Sequence, residues 1–340
     1  MQPRLKFYFS AGAALIALWP AAPVLAQTDY PLILENCGVT QTFLAAPESV
    51  VSAGQASTEI LYSLGLGEKV TGTSVWFTEV LPEFAGLNAG IERLADNDAS
   101  FESIVAKRPG LVTAQYEWHI GPQGIIATRE QFADLQIPTY ILPSDCIGKD
   151  NSAGSDGTRL QPYDMAGIYQ GITELARIFD VTDRGQALVA ALREREAAAV
   201  AQAEALQLDG TSAVFWFSSA EMDIDPYVAG NGGAPAWMMA SLGLRNVVES
   251  AEEWPVVSWE TIARADPDVI VIARMDRRRF EADDHLKKLA FLQSDPVASQ
   301  MKAVRNGNIV IIDAHAMDPL IRNIAALEAL AAALADLDLK

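Results

Sequence analysis

The chain runs to 340 residues, half of them apolar, with 25 basic against 44 acidic side chains and a formal charge of −19. That length is more than one hydrophobic core usually serves, so two domains or lobes are expected. The acid excess excludes nucleic acid and disfavours anionic membrane surfaces, since such binding rests on Lys and Arg neutralising phosphates; a basic protein partner stays compatible with it.

The first residues, MQPRLKFYFSAGAALIALWPAAPVLAQ, join a basic start (Arg4, Lys6) to an apolar run from Ala11 to Trp19 and a small-residue ending. This is the pattern of a secretory signal over residues 1–26, cleaved after Ala26. No Cys follows the cleavage point, so a free periplasmic protein is expected rather than a lipid-anchored one. Beyond the signal no stretch is long and apolar enough to span a bilayer. An oxidising compartment invites the only two cysteines, Cys37 and Cys146, to pair.

Next comes a strand around YPLILENCG. VSAGQASTEILYSLGLGEKVTG follows, with Ser57 or Thr58 as helix cap, a helix to Leu64, a stop at Gly65 and a strand near Val70. SFESIVAKRPGLV then gives a helix capped by Ser100, with Glu102 in its first turn, Pro109 ending it and LVTA as a strand. Residues 124–136 have helical spacing, and IPTYIL is a buried strand. GKDNSAGSDGTRLQP reads as an exposed loop without a role.

Residues 164–208 have helix-forming composition, with an apolar stripe at Leu188, Ala191 and Leu192, and are expected to form a stiff connecting helix. After it the programme repeats: AVFWFS as a strand, GAPAWMMASLGLRNVV as a helix with the same SLGL ending, SWETIARADPDVIVI as helix and strand, NIVIID as the last strand, and an Ala- and Leu-rich terminal helix. The second Ser-aromatic-Glu stretch lies at a constant offset of 158 residues from the first, Ser100 to Ser258. Two similar α/β lobes are therefore expected, Rossmann-like with mainly parallel sheets and a cleft between them. The lobes cover 27–163 and 209–340, joined by 164–208.

No nucleophile elbow, phosphate-binding loop, metal knuckle or H-E-x-x-H is present, and the chain reads as a binding protein rather than an enzyme. Aromatic and charged residues instead gather just past strand ends, where open α/β sheets bind ligands. These are Trp76; Tyr116, Trp118 and His119; Tyr227; Trp254; Arg274 and Arg277 within a run of four arginines; and His315. Aromatics with a few cations suit a large, flat or anionic small molecule. A bare divalent metal held by His119, His315, Asp313 or Asp318 is a competing reading, and an exported α/β hydrolase is another.

The motifs ASTEILYSLGLGEKVTGTS, SFESIVAKRPGLV, YVAGNGG, WPVVSWETIARADPDVIVI and AVRNGNIVIID resemble, in this order, the periplasmic binding proteins of iron-siderophore, haem and cobalamin ABC importers. The resemblance implies two lobes on one rigid backbone helix, a monomer without an intrinsic cofactor, and an ABC permease dimer as partner. It also implies that Glu102 and Glu260 dock on arginine pockets of that dimer, one carboxylate per lobe. Trp76, Tyr227 and Trp254 fall at or beside cleft positions of cobalamin binders. Haem binders usually carry a Tyr where this chain has Trp76. The arginine run favours an anionic iron chelate, a ferric siderophore, with cobalamin or haem as alternatives.

Overall fold

A computed structural model describes residues 27–152, 157–208 and 210–339; the signal expected over 1–26 lies outside them. The first lobe runs β1 (Leu32–Asn36), β2 (Val39–Phe43), β3 (Val50–Ala53), α1 (Gln55–Ser63), β4 (Val70–Ser74), α2 (Ala85–Asn88), α3 (Phe101–Val105), β5 (Leu111–Ala114), α4 (Glu117–Ile120), α5 (Arg129–Asp134), β6 (Thr139–Ile141), β7 (Lys149–Asp150) and β8 (Thr158–Arg159). Two helices follow, α6 (Ala166–Ile178) and α7 (Thr182–Leu206). The second lobe runs β9 (Ser212–Ser218), β10 (Tyr227–Val228), α8 (Ala234–Ser241), β11 (Arg245–Asn246), α9 (Trp259–Ala265), β12 (Val269–Arg274), α10 (His285–Ser294), α11 (Lys302–Asn306), β13 (Ile309–Asp313) and α12 (Asn323–Asp336).

The first sheet has the order β4-β3-β5-β6, all parallel. In the second, β9-β12-β13 are parallel, and β11 (parallel) and β10 (antiparallel) both pair with β9. Alternate residues along a strand face opposite sides, and the cores follow that rule. Val50 packs toward α6 and α7 while Val51 packs beneath α3 and α5. In the second sheet Val271 and Ala273 face α7, α8 and α12, whereas Ile270 and Ile272 face α9 and the segments after it.

The repeat seen in the sequence is a repeat of backbone. Ser100 Oγ accepts from Ser103 N–H at 3.2 Å, and Ser258 Oγ accepts from Thr261 N–H at 3.3 Å. Ile104 and Ile262 are the buried residues below. In both copies the residue just ahead of the proline is left-handed, Asp266 (φ 48°) as the cap of α9 and Arg108 (φ 49°) two residues past the Ala106 cap of α3. β5 and β12 then begin at equivalent places, Leu111 and Val269. The two SLGL stretches also share their ending, with Gly65 at φ 70° and Gly243 at φ 74°, values that glycine reaches without a Cβ clash.

Four local expectations need correction. Helix α1 starts at Gln55, before Ser57 and Thr58. Their hydroxyls donate back to Gly54 O, so neither is the cap. The helix expected over 124–136 is confined to α5, because Thr128 and Gln131 close a capping box there. The joining segment is two helices rather than one, since Asp180 turns left-handed (φ 56°) between α6 and α7. Along α7 the inward positions are Gly185, Leu192, Ala199 and Ala203, and Ala191 is exposed. Helix α7 is roughly 37 Å long at 1.5 Å per residue. Leu188 and Leu192 join the first lobe's core and Ala199 and Ala203 the second's, so one rigid rod belongs to both.

The polar stretch before α6 also has a role. Its Arg159, at the end of the β7–β8 hairpin, donates to Glu253 of the second lobe at 2.8 Å, with the Arg side chain 4% exposed. Cys37 and Cys146 are bonded, with Cα atoms 5.6 Å apart. Cys37 (φ 49°) and Gly38 (φ 75°) form the two-residue turn of the β1–β2 hairpin, and both left-handed angles suit a type I′ turn. Asn36 sets this hairpin on the edge of the first sheet, its side-chain amide exchanging two 2.8 Å hydrogen bonds with the Ile141 backbone.

Candidate functional site

The segments after β4 in the first lobe and after β12 and β13 in the second meet between the lobes. On the first side Gly54 follows β3 with φ 148°, and a Cβ there would lie 2.2 Å from that of Gln115, so the chain turns into α1 only with glycine. The next residue, Gln55, is fully buried. Its Oε1 accepts from the amides of Phe77 (3.1 Å) and Thr78 (3.2 Å), and its Nε2 donates to Glu79 O (3.2 Å). One side chain thus shapes the loop after β4 that faces the second lobe.

Opposite it stand the loops after β12 and β13. Thr78 Oγ1 donates to Asp276 Oδ2 at 2.7 Å. Phe77 packs on the His315 ring, centroids 5.2 Å apart. Arg322, just before α12, makes a bidentate pair with Glu59 of α1 (2.8 and 2.5 Å) and donates to Glu79 O (2.6 Å). Glu59 is 0% exposed and the Arg322 side chain 9%. Burial works against the Arg322 charge, but the hydrogen bond and field of Glu59 outweigh it and raise its pKa above the usual arginine value. Asp313 stands 3.5 Å away as a further acid. Beside this cluster a cavity of about 260 Å³ is lined by Arg274, Ile311, Asp313, Arg322 and Ala325 of the second lobe and Leu81 of the first.

The residues expected from sequence fall into three groups. Arg274, Arg277 and His315 come together at the seam between the lobes. Arg277 reaches across to the carbonyl oxygens of Trp76 and Asp96 and to Asn97 Oδ1. His315 is buried. Its Nδ1 lies 3.4 Å from Asp318 Oδ2, and among the described residues its Nε2 has no hydrogen-bond partner. Tyr116, Trp118 and His119 form a first-lobe group: the Tyr116 and His119 rings are 5.6 Å apart, Trp118 is half-buried, and His119 Nε2 meets Asp98 at 3.2 Å. That hydrogen bond is the main reason the Asp98 carboxyl is held below its ordinary value. Tyr227 and Trp254 form a second-lobe group. Tyr227 is exposed, and Trp254 packs on Phe217 with centroids 4.6 Å apart.

Trp76 is corrected in one respect. Its indole is 1% exposed, donates to Thr73 Oγ1 at 3.1 Å and carries Arg93 over its ring, so its side chain belongs to the core and only its carbonyl meets the other lobe. Glu102 and Glu260 are both exposed in the first turns of α3 and α9, and among the described residues neither forms an ion pair. Among the described residues no three His, Cys, Asp or Glu side chains converge to hold a metal ion.

Sequence reasoning missed Gln55, Glu59, Thr78, Asp276 and Arg322. Two of these had a signal. Glu59 is the only charge in the small and apolar run ASTEILYSLGLG, and Arg322 the only cation in PLIRNIAALEALAAALA. Lone opposite charges at such places point to a buried pair.

The model of the Periplasmic binding protein family matches residues 50–316. A curated relative, the uncharacterized ABC transporter substrate-binding lipoprotein YvrC of Bacillus subtilis (strain 168), is 23% identical over 230 residues. The match covers 68% of this chain and 65% of the relative's length. Among solved structures, a periplasmic binding protein from Veillonella parvula dsm 2008 has a TM-score of 0.73 at 22% identity, covering 90% of this chain and 98% of that one. A structure titled as an ABC-type Fe3+-hydroxamate transport system, from Saccharomonospora viridis DSM 43017, gives 0.68 at 26% identity, covering 90% and 99%. With two α/β lobes on a shared helix and a family match over residues 50–316, the chain belongs to the Periplasmic binding protein family.

Proposed function

We propose that this protein is exported, captures a ferric siderophore between its lobes and delivers it to an ABC permease in the inner membrane. The observation that carries the reading is a pair of arginines: Arg274 and Arg277 stand at the strand ends where the lobes meet, among the described residues neither forms an ion pair, and guanidinium groups suit the carboxylate or catecholate oxygens of an iron chelate. That one structural relative is named as an Fe3+-hydroxamate transport system supports the same ligand class. The iron belongs to the cargo, and the protein needs no cofactor of its own. The secretory pattern of residues 1–26, with cleavage after Ala26, supports export.

Docking is assigned to Glu102 and Glu260. In a β-α-β unit the helix runs back against its strands, so the first turns of α3 and α9 lie at the strand ends that carry the cleft loops. One exposed carboxylate per lobe can then meet one arginine pocket per permease subunit, a contact strong enough to orient the protein and weak enough to release it. A flat macrocycle, cobalamin or haem, is the second reading, favoured by the Trp254–Phe217 aromatic pair in the second lobe.

Tryptophan fluorescence titrations separate these. Ferric hydroxamate or catecholate chelates should quench stoichiometrically, and the chelate should be recovered unchanged. Stronger quenching by cobalamin or haem would select the second reading. Tight binding of zinc or manganese alone, or turnover of an ester, would overturn both.

A further inference from the structure

The four arginines around the end of β12 are not equivalent. Arg278 pairs with Asp284 of its own lobe at 2.6 Å, Arg279 lies over the Phe280 ring, and Arg274 borders the cavity described above. Arg277 alone crosses to the first lobe. Its Nη1 donates to the carbonyls of Trp76 and Asp96 (3.2 Å to the latter), and its Nη2 to Asn97 Oδ1 at 2.8 Å. All three acceptors are neutral. The carboxylate of Asp96 is instead engaged by Arg93 at 3.1 Å, and among the described residues Arg277 has no ion-pair partner. The neighbouring Thr78–Asp276 hydrogen bond crosses the same seam and is likewise exposed.

Contacts of another kind join the lobes next to α12. There the Glu59–Arg322 pair and the Tyr163–Asn323 hydrogen bond (2.7 Å) are buried, and Leu320, Ile321 and Ile324 run into the first lobe's core. The seam is therefore asymmetric: dry and ionic beside α12, exposed and built on neutral acceptors at Arg277. An anion adds charge–charge attraction that a neutral carbonyl lacks, and a carboxylate can take two guanidinium N–H groups at once. A guanidinium held by carbonyls is thus ready to exchange them for an anion.

We infer that Arg277 is an interlobe latch. It draws the second lobe onto the Trp76–Thr78 and Asp96–Asn97 segments without any ligand, and it is released when an anion replaces those carbonyls. The latch has a thermodynamic consequence, because a ligand must bind well enough to displace it, which lowers the apparent affinity of weak anions. This holding role does not depend on which chelate the cleft takes.

The test reads the lobes directly, in protein dialysed free of small molecules. Nitroxide labels on Ala106→Cys and Ala265→Cys, exposed positions at the ends of α3 and α9, report the interlobe distance by pulsed electron paramagnetic resonance. The parent should give one narrow distribution. Arg277→Ala should add a second, longer population, and Arg277→Lys should keep part of the short one. Arg278→Ala, whose partner lies in its own lobe, should match the parent. Should Arg277→Ala fold poorly, Arg277→Met keeps an aliphatic side chain without any donor and should lengthen the distance in the same direction. A distribution for Arg277→Ala, or for Arg277→Met, superimposable on the parent's would overturn the latch and leave the proposed ligand class untouched.

Discussion

Glu59 and Arg322 illustrate what a buried charge pair does for this protein. Taking both ions out of water costs several kcal/mol, offset by the bidentate bonds and by Gln55, whose Nε2 donates to Glu59 Oε1 at 3.2 Å. Glu59→Gln should therefore destabilise by about 3–5 kcal/mol, because Arg322 is left charged and under-compensated, whereas Glu59→Met with Arg322→Met should recover most of that loss in urea titrations. Lys288 is the second informative side chain. It is fully buried, donates to the carbonyls of Trp216, Phe217 and Ala273, and burial pushes its pKa down to about 7 despite Asp283 nearby. The unfolded chain keeps the ordinary lysine value of 10.5, so between about pH 7 and 10.5 only the unfolded state binds the proton. Stability should rise with pH across that window, and Lys288→Met should flatten the rise in melts taken from pH 6 to 10. The charge pair left a trace in the sequence as two lone opposite charges, but the role of Lys288 was not legible there. A lysine in HLKKLAFLQS reads as one more solvated cation, and only the three carbonyls converging from β9 and β12 reveal that it points inward.

Elements were more legible than side chains, and the reason is the repeat. Ser cap, aromatic, Glu, apolar anchor, left-handed stop and proline form a local code, set by hydrogen bonds and φ angles within about ten residues, and it appears twice with the same backbone. The break between α6 and α7 was illegible because it rests on Asp180 in a left-handed conformation, with no glycine or proline to announce it. Of the three residues expected in the apolar stripe of α7, Leu188 and Leu192 face the core and Ala191 does not, for a related reason. The helix serves two cores in turn, so no single face is apolar along its whole length. The β1–β2 hairpin depends on the Cys37–Cys146 bond, which closes a separation of 109 residues. Replacing both cysteines by Ser should cost about 4.7 kcal/mol, the chain-entropy value for a loop of roughly 100 residues. Melting of the double variant against the oxidised parent measures it. The parent treated with a reductant should fall to the same curve.

Across the whole molecule, the two lobes share one rod and meet along a seam that is fixed beside α12 and exposed at Arg277. Two-lobe architecture could be read from length, from the duplicated stretches and from the stiff joining segment. The seam could not, because its partners are separated by 180 to 263 residues and no local pattern links them. The same limit explains why Trp76 was expected on the cleft surface: sequence places it just past a strand end, while the indole direction depends on Thr73 and Arg93. The cleft and the two carboxylates at equivalent helix starts give the functional account its two halves, capture and delivery. The most direct measurement is uptake of a radiolabelled ferric chelate in cells lacking the native protein and supplied with either the parent or Glu102→Ala with Glu260→Ala. The account predicts that the parent restores uptake while the double variant binds the chelate equally well yet restores little. Uptake by the double variant equal to the parent's would contradict it.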